Sequence, residues 1–139
     1  MAEKLIFDTG IKEFDVNGNG LLRFNPSDPN LYNRFTSVHS EVEAIESDIQ
    51  QRRTEELTSE AVLEMMADYD RRVKEKLSYV FGPENDFDKL LGGVNLMAMT
   101  TSGNLVVTNL LNALSPIIED GVKQYAKMEA AREVAAMSE

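Results

Sequence analysis

From Leu31 onward the apolar residues fall at Leu31, Phe35, Val38, Val42, Ile45 and Ile49, spaced 4, 3, 4, 3 and 4. This is the stripe of an amphipathic helix, with Ser40, Glu41, Glu43 and Asp48 on its other side. Asp28 can cap that helix by accepting a backbone N–H bond, and Pro29 suits the first helical position, where a missing N–H does no harm. A second stripe, Val62, Met66, Tyr69, Val73, Leu77 and Val80, predicts another helix. Thr58 is its expected cap, Glu60 is favourable near its positive end, and Gly82-Pro83 stops it. Between the two, Gln50 to Glu56 is charged and aperiodic and reads as a connection. Two helices joined by a short polar link form an antiparallel pair.

Before Asp28 the pattern leans to strand. Leu5, Phe7, Ile11, Phe14 and Val16 make a β-leaning start, with a turn or bulge at Thr9-Gly10, so two or three strands are expected. Asn17-Gly18 and Asn19-Gly20 both supply the positive-φ residues of a tight hairpin. Their competition leaves the register open by up to two residues, and an odd slip would exchange the faces of Leu21 and Leu22.

After Pro83, Asp86 caps a short turn from Phe87 to Leu91, Gly92-Gly93 breaks it, and Thr100 to Asn104 reads as a loop. Leu105 to Leu114 predicts a helix with Val107, Leu110, Leu111 and Leu114 on one face, extended by Ile117, Ile118 and Val122. Pro116 is expected to kink or restart it, and Gly121 to weaken it. Gln124 to Met137 is alanine-rich and weakly amphipathic, a docked helix or a frayed tail. The fold class is therefore α+β and mostly helical: an N-terminal β-hairpin or small antiparallel sheet packed on an antiparallel helix pair, plus C-terminal helices. One domain over residues 1–139 is expected, with the hairpin in 1–25, the helix pair in 29–81, loop and helices in 86–122, and the helical or frayed tail in 123–139.

Composition narrows the function classes. With 42% hydrophobic and 27% charged residues the chain is ordinary for a globular protein, and no apolar run approaches the ~20 residues that span a bilayer. Met1 to Phe7 lacks the basic start, apolar core and cleavage site of a signal peptide, so a cytoplasmic location is expected. A net charge of −10 argues against nucleic acid as the principal partner. Arg52-Arg53 and the run Arg71, Arg72, Lys74, Lys76 are interleaved with acids and read as solvated helix faces. There is no cysteine, which excludes disulfides and thiolate chemistry.

Candidate chemistry is sparse. Asp15, Asn17, Asn19 and Gly20 fit the first half of a calcium-binding loop, but position twelve, where a bidentate Glu is needed, is Pro26. Hairpin-turn chemistry is the better reading. His39 is the only histidine, at the edge of the first stripe and without an identifiable nucleophile partner, so a rim histidine is expected. Asp86 with Asp88, and Glu64 with Asp68, are read as surface and caps among 24 acidic residues. No phosphate-cradling glycine loop is present. No catalytic, cofactor or metal residue is therefore assigned, and the chain is read as non-enzymatic. Of seven methionines, Met65, Met66, Met97 and Met99 are assigned to the core. The segment Tyr125 to Met137, through Tyr125, Met128, Val134 and Met137, is the candidate partner-binding or self-association surface.

The hairpin, the Asn25-Pro26-Ser27-Asp28-Pro29 lead into a helix, Phe81-Gly82 and Asp86-Phe87-Asp88-Lys89-Leu90-Leu91-Gly92-Gly93 form a layout of turns and apolar positions. With Leu110-Leu111-Asn112-Ala113-Leu114-Ser115-Pro116-Ile117-Ile118, it resembles the small tail assembly chaperones of long-tailed phages and prophages of Gram-positive bacteria, over most of Leu5 to Ile118. The resemblance implies a non-enzymatic protein in the host bacterial cytoplasm that binds the tape-measure protein, keeps it soluble and helps recruit tail-tube subunits. It further implies self-association as a homo-oligomer, absence from the finished virion, and a longer frameshifted product of which this chain would be the short form. The alternative is a structural tail or tail-completion subunit built into the particle. No binding residue carries over, because the shared layout has no sharp chemical motif.

Overall fold

The computed structural model describes residues 1–52 and 55–137. Two strands, β1 (Lys12–Asp15) and β2 (Leu21–Phe24), precede four helices: α1 (Pro29–Arg52), α2 (Ser59–Phe81), α3 (Phe87–Leu90) and α4 (Val106–Met137). The architecture is α+β and mostly helical, with the two-stranded antiparallel sheet packed on α1 and α2.

Asn17-Gly18 wins the hairpin turn. Both residues take positive φ, 55° and 75°, the Asn19 N–H donates to the Val16 carbonyl, and the Val16 N–H donates to Gly20. Asn19 and Gly20 thus oppose Val16 together, as a bulge does. The displaced Asn19 turns its side-chain amide to the Leu90 carbonyl, 3.0 Å away, tying the hairpin to α3. The register pairs Phe14 with Leu22 and Glu13 with Arg23, which buries Leu22 (2% exposed) and leaves Leu21 in solvent (51%).

Residues before Lys12 form no strand, so the expected third strand is absent among the described residues. Gly10 does turn, at φ 71°, with its N–H held by the Asp8 carboxylate. The segment it releases pairs with nothing in the sheet, because the Asn25 amide holds the Thr9 carbonyl at the far end of β2.

Helix ends follow their capping chemistry. Asp28 accepts from the Asn30 N–H, Thr58 from Ala61, and Asp86 from Asp88 and Lys89, while Gly82 (φ 99°) ends α2. The α1 and α2 stripes face each other. Arg34 lies over the Tyr79 ring, Arg72 bonds Glu41, and Tyr69 bonds Asp48, so residue numbers rise along one helix as they fall along the other: an antiparallel pair. α1 runs on through Arg52, so Gln50 to Arg52, read as connection, are helical; the Asp48–Arg52 pair one turn apart supports that last turn. Arg53 lies outside the described residues.

Phe81 is the hub of the core. Its ring meets Phe24 of β2 at 5.0 Å, Phe35 of α1 at 6.3 Å and Phe87 of α3 at 5.7 Å, in edge and tilted geometries that suit aromatic quadrupoles. Asn85, the buried polar residue at the heart of this cluster, donates to the Phe81 carbonyl and bonds both backbone groups of Arg23.

α4 does not restart at Pro116. It runs unbroken from Val106 to Met137 through both Pro116 and Gly121, burying Val107, Leu111, Leu114 and Ile118 on one face. Pro116 removes only the donor that the Asn112 carbonyl would have used. Buried residues on both sides of it hold the helix to the core across that gap. Met99 is a correction: it is exposed, whereas Met97 is buried and Met65 and Met66 pack partly against the core. Met99 pairs with Leu105 in an isolated bridge that points its side chain outward, after Leu96 and Met97 have filled the interior.

Candidate functional site

The two sheet edges differ. On β2, Asn85 donates to the Arg23 carbonyl at 3.0 Å and accepts from the Arg23 N–H at 2.9 Å, so one side-chain amide closes the edge as a neighbouring strand would. β1 carries no third strand. The ladder alternates, so the backbone groups of Glu13, opposite Arg23, face outward along this open edge.

Beside the open edge lies an apolar groove of about 530 Å³. Phe14, Val16 and Leu22 of the hairpin form one wall, and Val106, Leu110 and Ile117 of α4 the other. Asp15, Asn17, Thr100 and Asn109 supply its polar rim. An open strand edge next to an apolar trough is the geometry that receives an extended peptide: backbone bonds hold it, and alternate side chains enter the groove.

Two extensions carry nine of the sixteen exposed large apolar side chains among the described residues. The first is the arm Met1 to Gly10, in which Leu5 and Ile6 are each 86% exposed and Phe7 70%, three consecutive large apolar residues in solvent. The second is the part of α4 beyond Gly121, about 24 Å of helix at 1.5 Å per residue, with no buried residue along it. The expected partner-binding residues Tyr125, Met128, Val134 and Met137 are all there and all exposed. They do not share one face. At 3.6 residues per turn Met128 lies about 60° from Tyr125, whereas Val134 lies about 180° from it. Tyr125 and Met128 continue the side that buries Ile118 and Gly121; Val134 and Met137 look away.

The charged clusters are structural. Arg71 pairs with Asp68 and Arg72 with Glu41, while Lys74 bridges Asp70 and Asp88 at 2.8 and 2.6 Å, so this basic run is matched by acids rather than presented to phosphates. Burial pulls the Lys74 ammonium down, but the hydrogen bonds to Asp70 and Asp88 outweigh it and raise it overall. Asp70 also accepts from the Leu96 N–H, so this network fastens the loop before α4 to α2 and α3. The Tyr69 hydroxyl donates to Asp48 and, joined by Arg52 and Arg72, outweighs desolvation and holds that carboxyl below the usual aspartate range. Burial and the same bond push the Tyr69 phenol up.

The remaining candidates are accounted for locally. His39 is exposed, its ring edge-on to Phe35 at 5.1 Å. Asp86 caps α3 and Asp88 pairs with Lys74, which separates that carboxylate pair into two jobs. Glu64 is exposed and Asp68 is engaged by Arg71. Asp15 of the half calcium loop accepts from the Gly18 N–H, Asn19 bonds Leu90, and Pro26 is buried against α4. No cluster of three metal-ligating side chains occurs among the described residues, and no helix is long and apolar enough to cross a membrane. The open β1 edge, the groove and Asn85 were not singled out from sequence, since each depends on residues far apart in the chain.

Comparison with protein-family models, with curated proteins and with solved structures gave no significant match.

Proposed function

We propose that this chain is a non-enzymatic tail assembly chaperone of the long-tailed phage type, which binds the tape-measure protein and assists tail-tube assembly in the bacterial cytoplasm. One observation carries the reading: nine of the sixteen exposed large apolar side chains among the described residues lie on two extensions, the arm and the outer half of α4, away from a core already filled. Extensions of this kind suit an elongated, partly apolar helical client. The Tyr125 and Met128 side of α4 offers a continuous helical face for helix-to-helix packing. The net charge of −10 keeps such a complex in solution. The layout resemblance over Leu5 to Ile118 supplies the class of client.

The test is co-expression with the tape-measure protein of the same tail gene cluster. More soluble client, co-purifying with this chain, is the expected result. An unchanged insoluble client with no co-purification contradicts it. Mass spectrometry of purified virions separates the structural-subunit alternative, which requires the chain to be present in the particle.

A further inference from the structure

Three features lie on one molecule without a match within it: an open strand edge on β1, an apolar groove beside that edge, and an extended apolar arm that no part of the fold covers. We propose that the arm of a second copy lies along β1 as an added strand and sets alternate side chains, Leu5 and Phe7, into the groove, in a reciprocal exchange. This goes beyond the chaperone reading and does not depend on it.

The chain's own arm is turned elsewhere. Asn25 donates to the Thr9 carbonyl at 3.0 Å and packs against Gly10, pinning the root of the arm at the end of β2, on the side opposite the open edge. The β2 edge is not an alternative acceptor, since Asn85 already occupies the backbone groups of Arg23. Residue period and groove position agree as well, because Phe14 faces inward and stacks on Phe24 at 4.9 Å, so an added strand places every second side chain over the same trough.

The area is sufficient. Covering Leu5 and Phe7 removes on the order of 300 Å² from the arm and a similar area from the groove, so two exchanged arms bury roughly 1,200 Å², the low end of the range for a specific interface. Donor and acceptor are different surfaces, so a pair closes only when both arms cross.

The absence of native cysteine makes disulfide trapping specific. Phe7→Cys chains, isotope-labelled, are mixed with unlabelled Asn109→Cys chains and oxidised mildly, and linked peptides are identified by mass spectrometry. In parallel, wild type and a chain lacking residues 2–8 are weighed by light scattering at high micromolar concentration. The expected results are a labelled-to-unlabelled link between residues 7 and 109, a wild-type mass of twice 15.6 kDa, and a monomeric truncated chain with an unchanged melting temperature. Residues 2–8 bury nothing, so the truncated chain should fold. The proposal is overturned by a monomeric wild type, by an oligomer that survives truncation, by truncation that unfolds the chain, or by the absence of a labelled-to-unlabelled link between residues 7 and 109.

Discussion

A Cβ placed on Gly121 of α4 would stand 1.9 Å from the carbonyl oxygen of Pro26, in the loop between β2 and α1. The helix therefore touches the backbone of that loop at a point where only a hydrogen fits. Glycine there answers to space. Gly121→Ala gains about 1 kcal/mol in helix propensity, but the clash is with backbone and must displace one element. We expect a net loss of about 2 kcal/mol, read as a lower urea midpoint with unchanged slope. An unchanged or raised midpoint would show that the contact is loose.

Gly18 is the opposite case. Nothing lies within 4 Å of a Cβ there, but its φ is 75°. Gly18→Ala is expected to cost about 1–2 kcal/mol through backbone strain alone. Replacing it with Asn, which tolerates this region, should recover part of the loss in thermal melts.

Asn85→Ala removes the group that closes β2. Two carbonyls and one N–H lose their partner inside the Phe81 cluster, so we expect a loss of about 2–4 kcal/mol in chemical unfolding. A loss below about 1 kcal/mol would mean that solvent reaches the Arg23 edge.

The Tyr69–Asp48 bond predicts a pH dependence. The Asp48 carboxyl is held below its ordinary value of 3.8, chiefly by the Tyr69 hydroxyl, so it binds its proton more weakly folded than unfolded. Its contribution is thus fully present above the ordinary value and is lost as pH falls through the folded one. Tyr69→Phe should lower the melting temperature at neutral pH, and the difference from wild type should shrink below pH 3.8. A difference that stays constant into acid would assign the loss to packing alone.

What was legible in the sequence was periodic or local. The Leu31 to Ile49 and Val62 to Val80 stripes became α1 and α2, and Asp28, Thr58 and Asp86 cap as their types prefer. The turn was legible but its register was not, because two Asn-Gly pairs are locally equivalent; the distant Leu90 carbonyl, which takes Asn19, distinguishes them. Pro116 and Gly121 look like breakers to any local rule. α4 survives them because burial from Val107 to Ile118 spans the proline and because the glycine is needed by Pro26, far away in sequence. For the same reason the groove was invisible: its walls come from residues near 14 and near 110. The four residues chosen on the tail are exposed, but weak amphipathicity gave no hint that Val134 faces away from Tyr125.

In the proposed function, exposed apolar surface on the extensions binds a helical client. The most direct test is the affinity of the purified chain for a purified tape-measure fragment, by calorimetry, for wild type and for the double variant Tyr125→Asp, Met128→Asp. Both positions are exposed, so the double variant should fold. Wild type is expected to bind measurably and the variant to bind at least about tenfold more weakly, equivalent to about 1.4 kcal/mol or more. No binding by a folded wild type, or equal affinities for the two chains, would contradict it.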